Sequence, residues 1–120
     1  SCQWAEEIAS EIDASSAILE KNRINSTKVK IKLKSKIDIK NKDIVIIDDI
    51  ISSGYTILEA AKTIKKLGPK SINIIAIHGI FADEKAYLQI KKLAKSIVTT
   101  NTISNKHSKI DVSNLIASNL

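Results

Sequence analysis

Asp43-Ile44-Val45-Ile46-Ile47-Asp48-Asp49-Ile50-Ile51-Ser52-Ser53-Gly54-Tyr55-Thr56 is the stretch that decides the fold. It opens on an uninterrupted aliphatic run, Ile44 to Ile47, closed by two acids. Such a run suits a parallel strand buried on both faces, because crossover helices cover both sides of a parallel sheet. A polar loop follows, and then a helical pattern from about Thr56 to Leu67. Gly68-Pro69 stops that helix, since Gly closes a helix end and Pro cannot continue one. Strand, polar loop and helix in this order place the loop beyond the carboxyl end of a strand, where open α/β sheets bind their ligands.

Working outward, the same grammar repeats. Downstream, Ser71 to Ile77 reads as a second central strand, Asp83 to about Leu93 as a second helix and Ser96 to Thr100 as a short strand. Residues 101–108 read as loop, Ile110 to Val112 as a brief pairing segment, and Ser113 as the cap of a last helix carrying Leu115, Ile116 and Leu120. Upstream, Asn41-Lys42 is a turn, and Lys28 to Lys34 alternates Lys with apolar residues, the period of a strand with one wet face. Its lysines also protect a sheet edge or hairpin arm. Ala17-Ile18-Leu19 begins a short strand ending at Glu20 to Arg23, and Trp4, Ile8 and Ile12 mark one face of an opening helix. The alternation of strands and helices predicts an α/β fold, doubly wound or close to it: an open, mainly parallel sheet with flanking helices. The chain opens on a helix that feeds a strand with no strand before it. From that order, residues 1–120 are expected to be a single domain cut from a longer protein.

The loop itself has the chemistry of a sugar-phosphate site. Free backbone N–H groups and the positive end of the helix dipole attract a phosphate. Ser52, Ser53 and Thr56 add hydroxyl donors, and Gly54 lets the backbone approach closely. Asp48 and Asp49 accept hydrogen bonds from ribose hydroxyls or reach a Mg²⁺ held on the substrate. A bare Ser-Ser-Gly would be no more than an ordinary strand–helix turn. Four aliphatic residues, two acids, two aliphatics and then Ser-Ser-Gly-x-Thr favour a ligand.

Composition narrows the classes further. Aromatic residues make up only 3% of the 120, so aliphatic residues, isoleucine above all, must fill the core. The net charge of +6 comes largely from lysines spread along the chain. With no aromatic platform for stacking bases, nucleic acid is discounted, and a small phosphorylated substrate explains the modest positive balance equally well. No apolar run approaches the roughly 20 residues of a membrane span. The single Cys2 has no partner for an intrachain disulfide and no Cys or His neighbour at metal-ligand spacing. A cytoplasmic protein with no membrane partner is the expectation.

The segment Asp43 to Ile57 resembles the 5-phosphoribosyl 1-pyrophosphate (PRPP) binding signature of type I phosphoribosyltransferases: apolar strand, two acids, two apolar residues, two small polar or acidic residues, Gly, any residue and Thr. Three further segments resemble one branch of that superfamily, the ribose-phosphate pyrophosphokinases that make PRPP. Leu19-Glu20-Lys21-Asn22-Arg23-Ile24 is similar to their flexible catalytic Lys-x-Arg loop. Ile77-His78-Gly79-Ile80-Phe81-Ala82 is similar to their Thr-His-Gly-x-Phe-Ser stretch. Val98 to Ile103, followed by Ile110-Asp111-Val112-Ser113, is similar to their C-terminal signature. The likeness runs in order over nearly the whole chain. Arg23 also stands out by itself as the only Arg among nineteen basic residues, and Arg is favoured where a planar fork grips phosphate oxygens.

The resemblance implies a reaction. The anomeric hydroxyl of ribose 5-phosphate attacks the β-phosphorus of Mg²⁺-ATP, pyrophosphate is transferred and AMP leaves. Ser52 to Thr56, including Gly54 and Tyr55, would hold the 5-phosphate. Asp48 and Asp49 would hold the ribose hydroxyls and a metal, and Lys21 and Arg23 would stabilise the transferring pyrophosphoryl group. His78 is expected to be a hydrogen-bonded structural residue. The resemblance makes residues 1–120 the C-terminal half of a longer, homo-oligomeric protein whose N-terminal half would supply most of the ATP site, so this chain alone is expected to bind ribose 5-phosphate or PRPP weakly without turning over. Many family members carry Asp where Ser52 stands and Gly where Tyr55 stands, which bears on ribose hydrogen bonding and on the tightness of the loop. Two rivals remain open: a purine or pyrimidine phosphoribosyltransferase, which needs a nucleobase hood that no segment supplies, and a non-catalytic synthetase-associated subunit, against which Lys21, Arg23, Asp48 and Asp49 argue.

Overall fold

Residues 19–25, 28–33, 37–103 and 105–118 are described by a computed structural model. The expected opening helix at Trp4 to Ile12, the start of the first strand at Ala17 and Ile18, and Cys2 lie outside the described residues. Strands β1 (Leu19–Arg23) and β2 (Val29–Leu33) form an antiparallel hairpin in which Leu19 faces Leu33 and Lys21 faces Ile31. Its turn is closed by Ile24 and Asn25 N–H groups donating to the Lys28 carbonyl, and by Lys28 N–H donating to Asn25 Oδ1. The alternation read in the second arm is met: Lys30 and Lys32 are exposed, while Ile31 and Leu33 pack toward the core. The Lys21–Arg23 segment, read as the end of a short strand and likened to a flexible catalytic loop, is a paired strand.

The main sheet is parallel throughout and runs in chain order: β3 (Asp43–Ile51), β4 (Ser71–Gly79), β5 (Ser96–Thr100) and β6 (Ser108–Ile110). Helix α1 (Tyr55–Lys65) crosses from β3 to β4, and α2 (Glu84–Leu93) from β4 to β5. Right-handed crossovers that always step in the same direction leave their helices on one face, and α1 and α2 pack against each other there. A short α3 (Ser113–Ser118) ends the described chain. β4 runs two residues further than its apolar pattern, through His78 and Gly79. β6 begins two residues earlier than expected, at the last residue of the segment read as loop.

The core lies between that face and the two helices. Ile46, Ile72, Ile74, Ala76 and Ile97 from the sheet meet Ile57, Leu58, Ala61 and Ile64 of α1 and Ala86 and Ile90 of α2, all buried. Truncating a side chain as enclosed as Ile74 typically costs roughly 2–5 kcal/mol. One expectation needs correcting here. β3 is not buried on both faces: Val45 is 49% and Ile50 44% exposed. Among the described residues β3 is an edge strand, and its second face, with that of Ile75 and Ile77 beside it, carries no helix. The fold is α/β and parallel as expected, with the described crossover helices on one side only.

Candidate functional site

The carboxyl ends of β3, β4 and β5 converge on one end of the sheet, and the loop 52–54 projects there between β3 and α1. The lysines do not gather at it. Lys65, Lys70, Lys92 and Lys95 surround a recess at the amino ends of β4 and β5, the opposite end of the sheet. The cations that do reach the loop come from the hairpin.

Gly54 shapes the loop. Its φ of 103° lies in the left-handed region that favours glycine. An added Cβ would come within 3.1 Å of Ile90 Cδ1 and 3.5 Å of Ala86 Cβ, so the backbone here lies directly on α2. Gly54 is also the N-cap of α1, and it offers no side chain to occupy the first N–H groups of the helix. Those groups have no intrahelical partner, so they present a positive end to any anion in the loop. Among the described residues the hydroxyls of Ser52 and Ser53 make no hydrogen bond, and Thr56 Oγ1 sits 3.5 Å from Arg23 Nη2.

Two acids close β3. Asp49 N–H donates to Asp48 Oδ1 and Ile50 N–H to Asp49 Oδ1, both at 2.8 Å. Burial above all, and then the shared hydrogen bonding with Asp49, pushes the Asp48 carboxyl up to about 6. Asp49, more exposed, is held below the usual carboxylate range, chiefly by its hydrogen bond with Asp48. Lys21 opposes the rise at Asp48 by attraction. Alternate residues of a strand share a face, so Lys21 and Arg23 act from one face of β1, the first on Asp48 and the second on Thr56. The predicted residues Lys21, Arg23, Asp48, Asp49, Ser52, Ser53, Gly54 and Thr56 are therefore brought together.

Tyr55 is turned away. Its hydroxyl donates to Asp83 Oδ2 at 2.8 Å, behind the loop. His78 lies near the carboxyl end of β4, where Nδ1 is 2.8 Å from Thr102 Oγ1, and Thr102 and Thr100 hydroxyls both donate to the Ile77 carbonyl. The His-Thr-Thr cluster joins the ends of β4 and β5. Among the described residues no group of three or more His, Cys, Asp or Glu converges as a metal cage. Asp48 and Asp49 alone suit a Mg²⁺ that brings most of its ligands as water and substrate phosphate, which is how Mg²⁺ is usually held.

Sequence reasoning missed three residues. Asp83 caps α2 through Oδ1, which accepts from Ala86 N–H at 3.1 Å, while its other oxygen takes the Tyr55 hydroxyl. An Asp before a helical pattern signals the cap, but nothing local signals the tyrosine. Tyr87 and His107 meet through Tyr87 Oη and His107 Nε2 at 2.7 Å, with the Phe81 ring 5.2 Å from Tyr87. That cluster joins segments remote in sequence and has no short-range signature.

The chain matches the family model described as "Phosphoribosyl transferase domain" over residues 1–115. It is 40% identical over 102 residues to ribose-phosphate pyrophosphokinase 2 of Archaeoglobus fulgidus, covering 85% of this chain and 37% of that protein. It is 41% identical over 93 residues to the ribose-phosphate pyrophosphokinase of Pyrococcus abyssi, covering 78% and 32%. Over 121 aligned residues it is 41% identical to that of Saccharolobus solfataricus, covering 97% and 41%. The chain thus spans well under half the length of these relatives. Among solved structures, phosphoribosylpyrophosphate synthetase from Mycobacterium smegmatis superposes with a TM-score of 0.75 over 98% of this chain and 40% of the other. At 24% identity that likeness speaks to the fold.

Proposed function

The chain belongs to the phosphoribosyl transferase domain family, and from that premise we propose that it is the ribose 5-phosphate-binding part of a ribose-phosphate pyrophosphokinase. The observation that carries this reading is the reach of the hairpin onto the loop: Arg23 beside Thr56 and Lys21 acting on Asp48. A loop that only binds a sugar phosphate needs the uncapped helix, the hydroxyls and the acids. Two further cations on a separate element suit a second, more highly charged group above the ribose.

In this reading the 5-phosphate lies at the N-terminus of α1, against the hydroxyls of Ser52, Ser53 and Thr56. Asp48 and Asp49 accept hydrogen bonds from the ribose hydroxyls. Lys21 and Arg23 face the pyrophosphoryl group as it moves from ATP to the anomeric oxygen, and AMP leaves. Mg²⁺, arriving with ATP, would neutralise phosphate charge, and Asp48 and Asp49 are the residues here that fit it. The remainder of the ATP site belongs to parts of the longer protein outside this chain, and the assembled enzyme is a cytoplasmic homo-oligomer. No helix among the described residues is long and apolar enough to cross a membrane.

Calorimetric titration of the 120-residue chain tests the binding half. Ribose 5-phosphate should bind, with affinity lost roughly tenfold or more in Asp49→Ala, while ATP with ribose 5-phosphate should yield no AMP. In the full-length protein, Lys21→Ala should cut AMP formation by roughly 10²-fold or more, the scale of losing one charge-stabilising group. Undiminished AMP formation would remove Lys21 from the mechanism. A phosphoribosyltransferase would instead release pyrophosphate from PRPP only when a nucleobase is added. The same assay therefore separates the two activities within the family.

A further inference from the structure

Helix α1 begins in an unusual way for a buried element. Its N-cap is Gly54, so no side chain fixes its first turn, whereas α2 is capped conventionally by Asp83. An uncapped start leaves the N–H groups for a ligand but also leaves the loop less constrained. The rear of the loop is held by segment 80–83. Ile80 and Phe81 N–H groups donate to the Ile51 carbonyl at 2.9 and 3.3 Å, and Ala82 N–H donates to the Ser52 carbonyl at 2.8 Å. These are backbone ties that many sequences would make. The fourth tie, Tyr55 Oη to Asp83 Oδ2 at 2.8 Å, depends on two side chains. It anchors the first residue of α1 to the residue that caps α2, and it does so without occupying any N–H group at the helix start.

We propose that Tyr55 and Asp83 are positioning residues for the phosphate loop, together holding the uncapped start of α1 in its anion-binding shape. The proposal rests on the ribose-phosphate reading above and adds to it residues that touch no ligand. The shape of the loop is set before binding, so less ordering is needed when the phosphate arrives. One carboxylate serves both helices: Oδ1 caps α2 and Oδ2 holds α1. The titration of the pair agrees, since the bond to Asp83 raises Tyr55, while the Ala86 N–H and then Tyr55 lower Asp83.

Ribose 5-phosphate, and inorganic phosphate as a second probe, are titrated into the 120-residue chain and into Tyr55→Phe and Asp83→Asn. Backbone amide exchange and thermal unfolding are followed on the same samples. Tyr55→Phe should weaken both ligands about fivefold, the scale of one net hydrogen bond. It should speed exchange at residues 52–57 while leaving exchange in β4 nearly unchanged and lowering the unfolding midpoint by no more than the ~4 °C that one net hydrogen bond is worth. Asp83→Asn keeps an oxygen able to cap α2 and should show a smaller loss of the same kind. The double variant should be no weaker than Tyr55→Phe, because both changes break one bond. Binding by the parent with equal affinity in Tyr55→Phe overturns the inference and leaves the proposed function standing. Weakened binding that follows a general fall in stability also overturns it, because the tie would then be merely structural. A folded parent that binds neither probe overturns the proposed function and this inference with it.

Discussion

Replacing Gly54 by Ala should destabilise the chain by about 2–3 kcal/mol, and the structure divides that cost into two parts. The first is conformational. At φ 103°, a residue with a Cβ pays roughly 1–2 kcal/mol for the left-handed backbone. The second is steric. The new methyl would lie 3.1 Å from Ile90 Cδ1, and Ile90 is fully buried, so it has no solvent into which to retreat. Overpacking of that kind adds roughly 1 kcal/mol or more. Gly68→Ala is the matched control. It too has positive φ, 74°, but its added Cβ would meet only Lys40 Cγ at 3.8 Å, an ordinary contact with an exposed side chain. Gly68→Ala should therefore carry the backbone cost alone, about 1–2 kcal/mol. For a chain of this size 1 kcal/mol moves the thermal midpoint by about 4 °C, so the variants should melt roughly 10 °C and 4–8 °C below the parent. Thermal unfolding followed by circular dichroism measures both. A loss in Gly54→Ala no larger than in Gly68→Ala would refute the claim that the loop rests on α2.

Two further predictions follow from the site and from the end of the sheet. Asp48 is raised from 3.8 to about 6, so the folded chain binds its proton more tightly than the unfolded chain. Its contribution to stability is full below about pH 4 and is lost as pH rises through about 6. Denaturant melts across that range should show the decline in the parent and not in Asp48→Asn, and a parallel response of the two would contradict the assignment. Asn101 accepts the Val112 N–H and donates to Asp111 and Ser113, all within 3.1 Å. Asn101→Ala should therefore release the start of α3 at a cost of about 1–2 kcal/mol, visible as faster amide exchange at residues 112–116 with β4 unaffected.

Much of the architecture was legible because its signals are local. The alternation Lys30-Ile31-Lys32-Leu33 specifies a half-wet strand whichever element it pairs with. Gly68-Pro69 ends α1 for reasons internal to the backbone, although the helix itself stops at Lys65. The run Ile44–Ile47 announced a parallel strand but not how many of its faces are covered, since an aliphatic run reads alike with one helix layer or two. Placing β6 required knowing that Thr99 N–H reaches the His107 carbonyl, a long-range fact. At the site, Asp48 through Thr56 are contiguous and were read as a unit. Lys21 and Arg23 were singled out by resemblance and by the rarity of Arg. The phosphoribosyl transferase family model supports the fold and the relatives support the proposed chemistry. The Tyr55–Asp83 bond joins positions 28 apart in a loop and at a cap, where no periodicity exists to reveal it.

Among the described residues one face of the sheet carries no helix, and that face bears on how copies of this chain meet. Val45, Ile75 and Ile77 offer water an apolar strip on and beside β3, an edge strand among the described residues, a surface that favours contact between copies. What opposes contact is a shared excess of positive charge, +6 per chain. That repulsion reaches about 30 Å in 0.01 M salt and only about 8 Å at 0.15 M. Dilute buffer keeps the copies apart, and added salt brings the strips within range of each other.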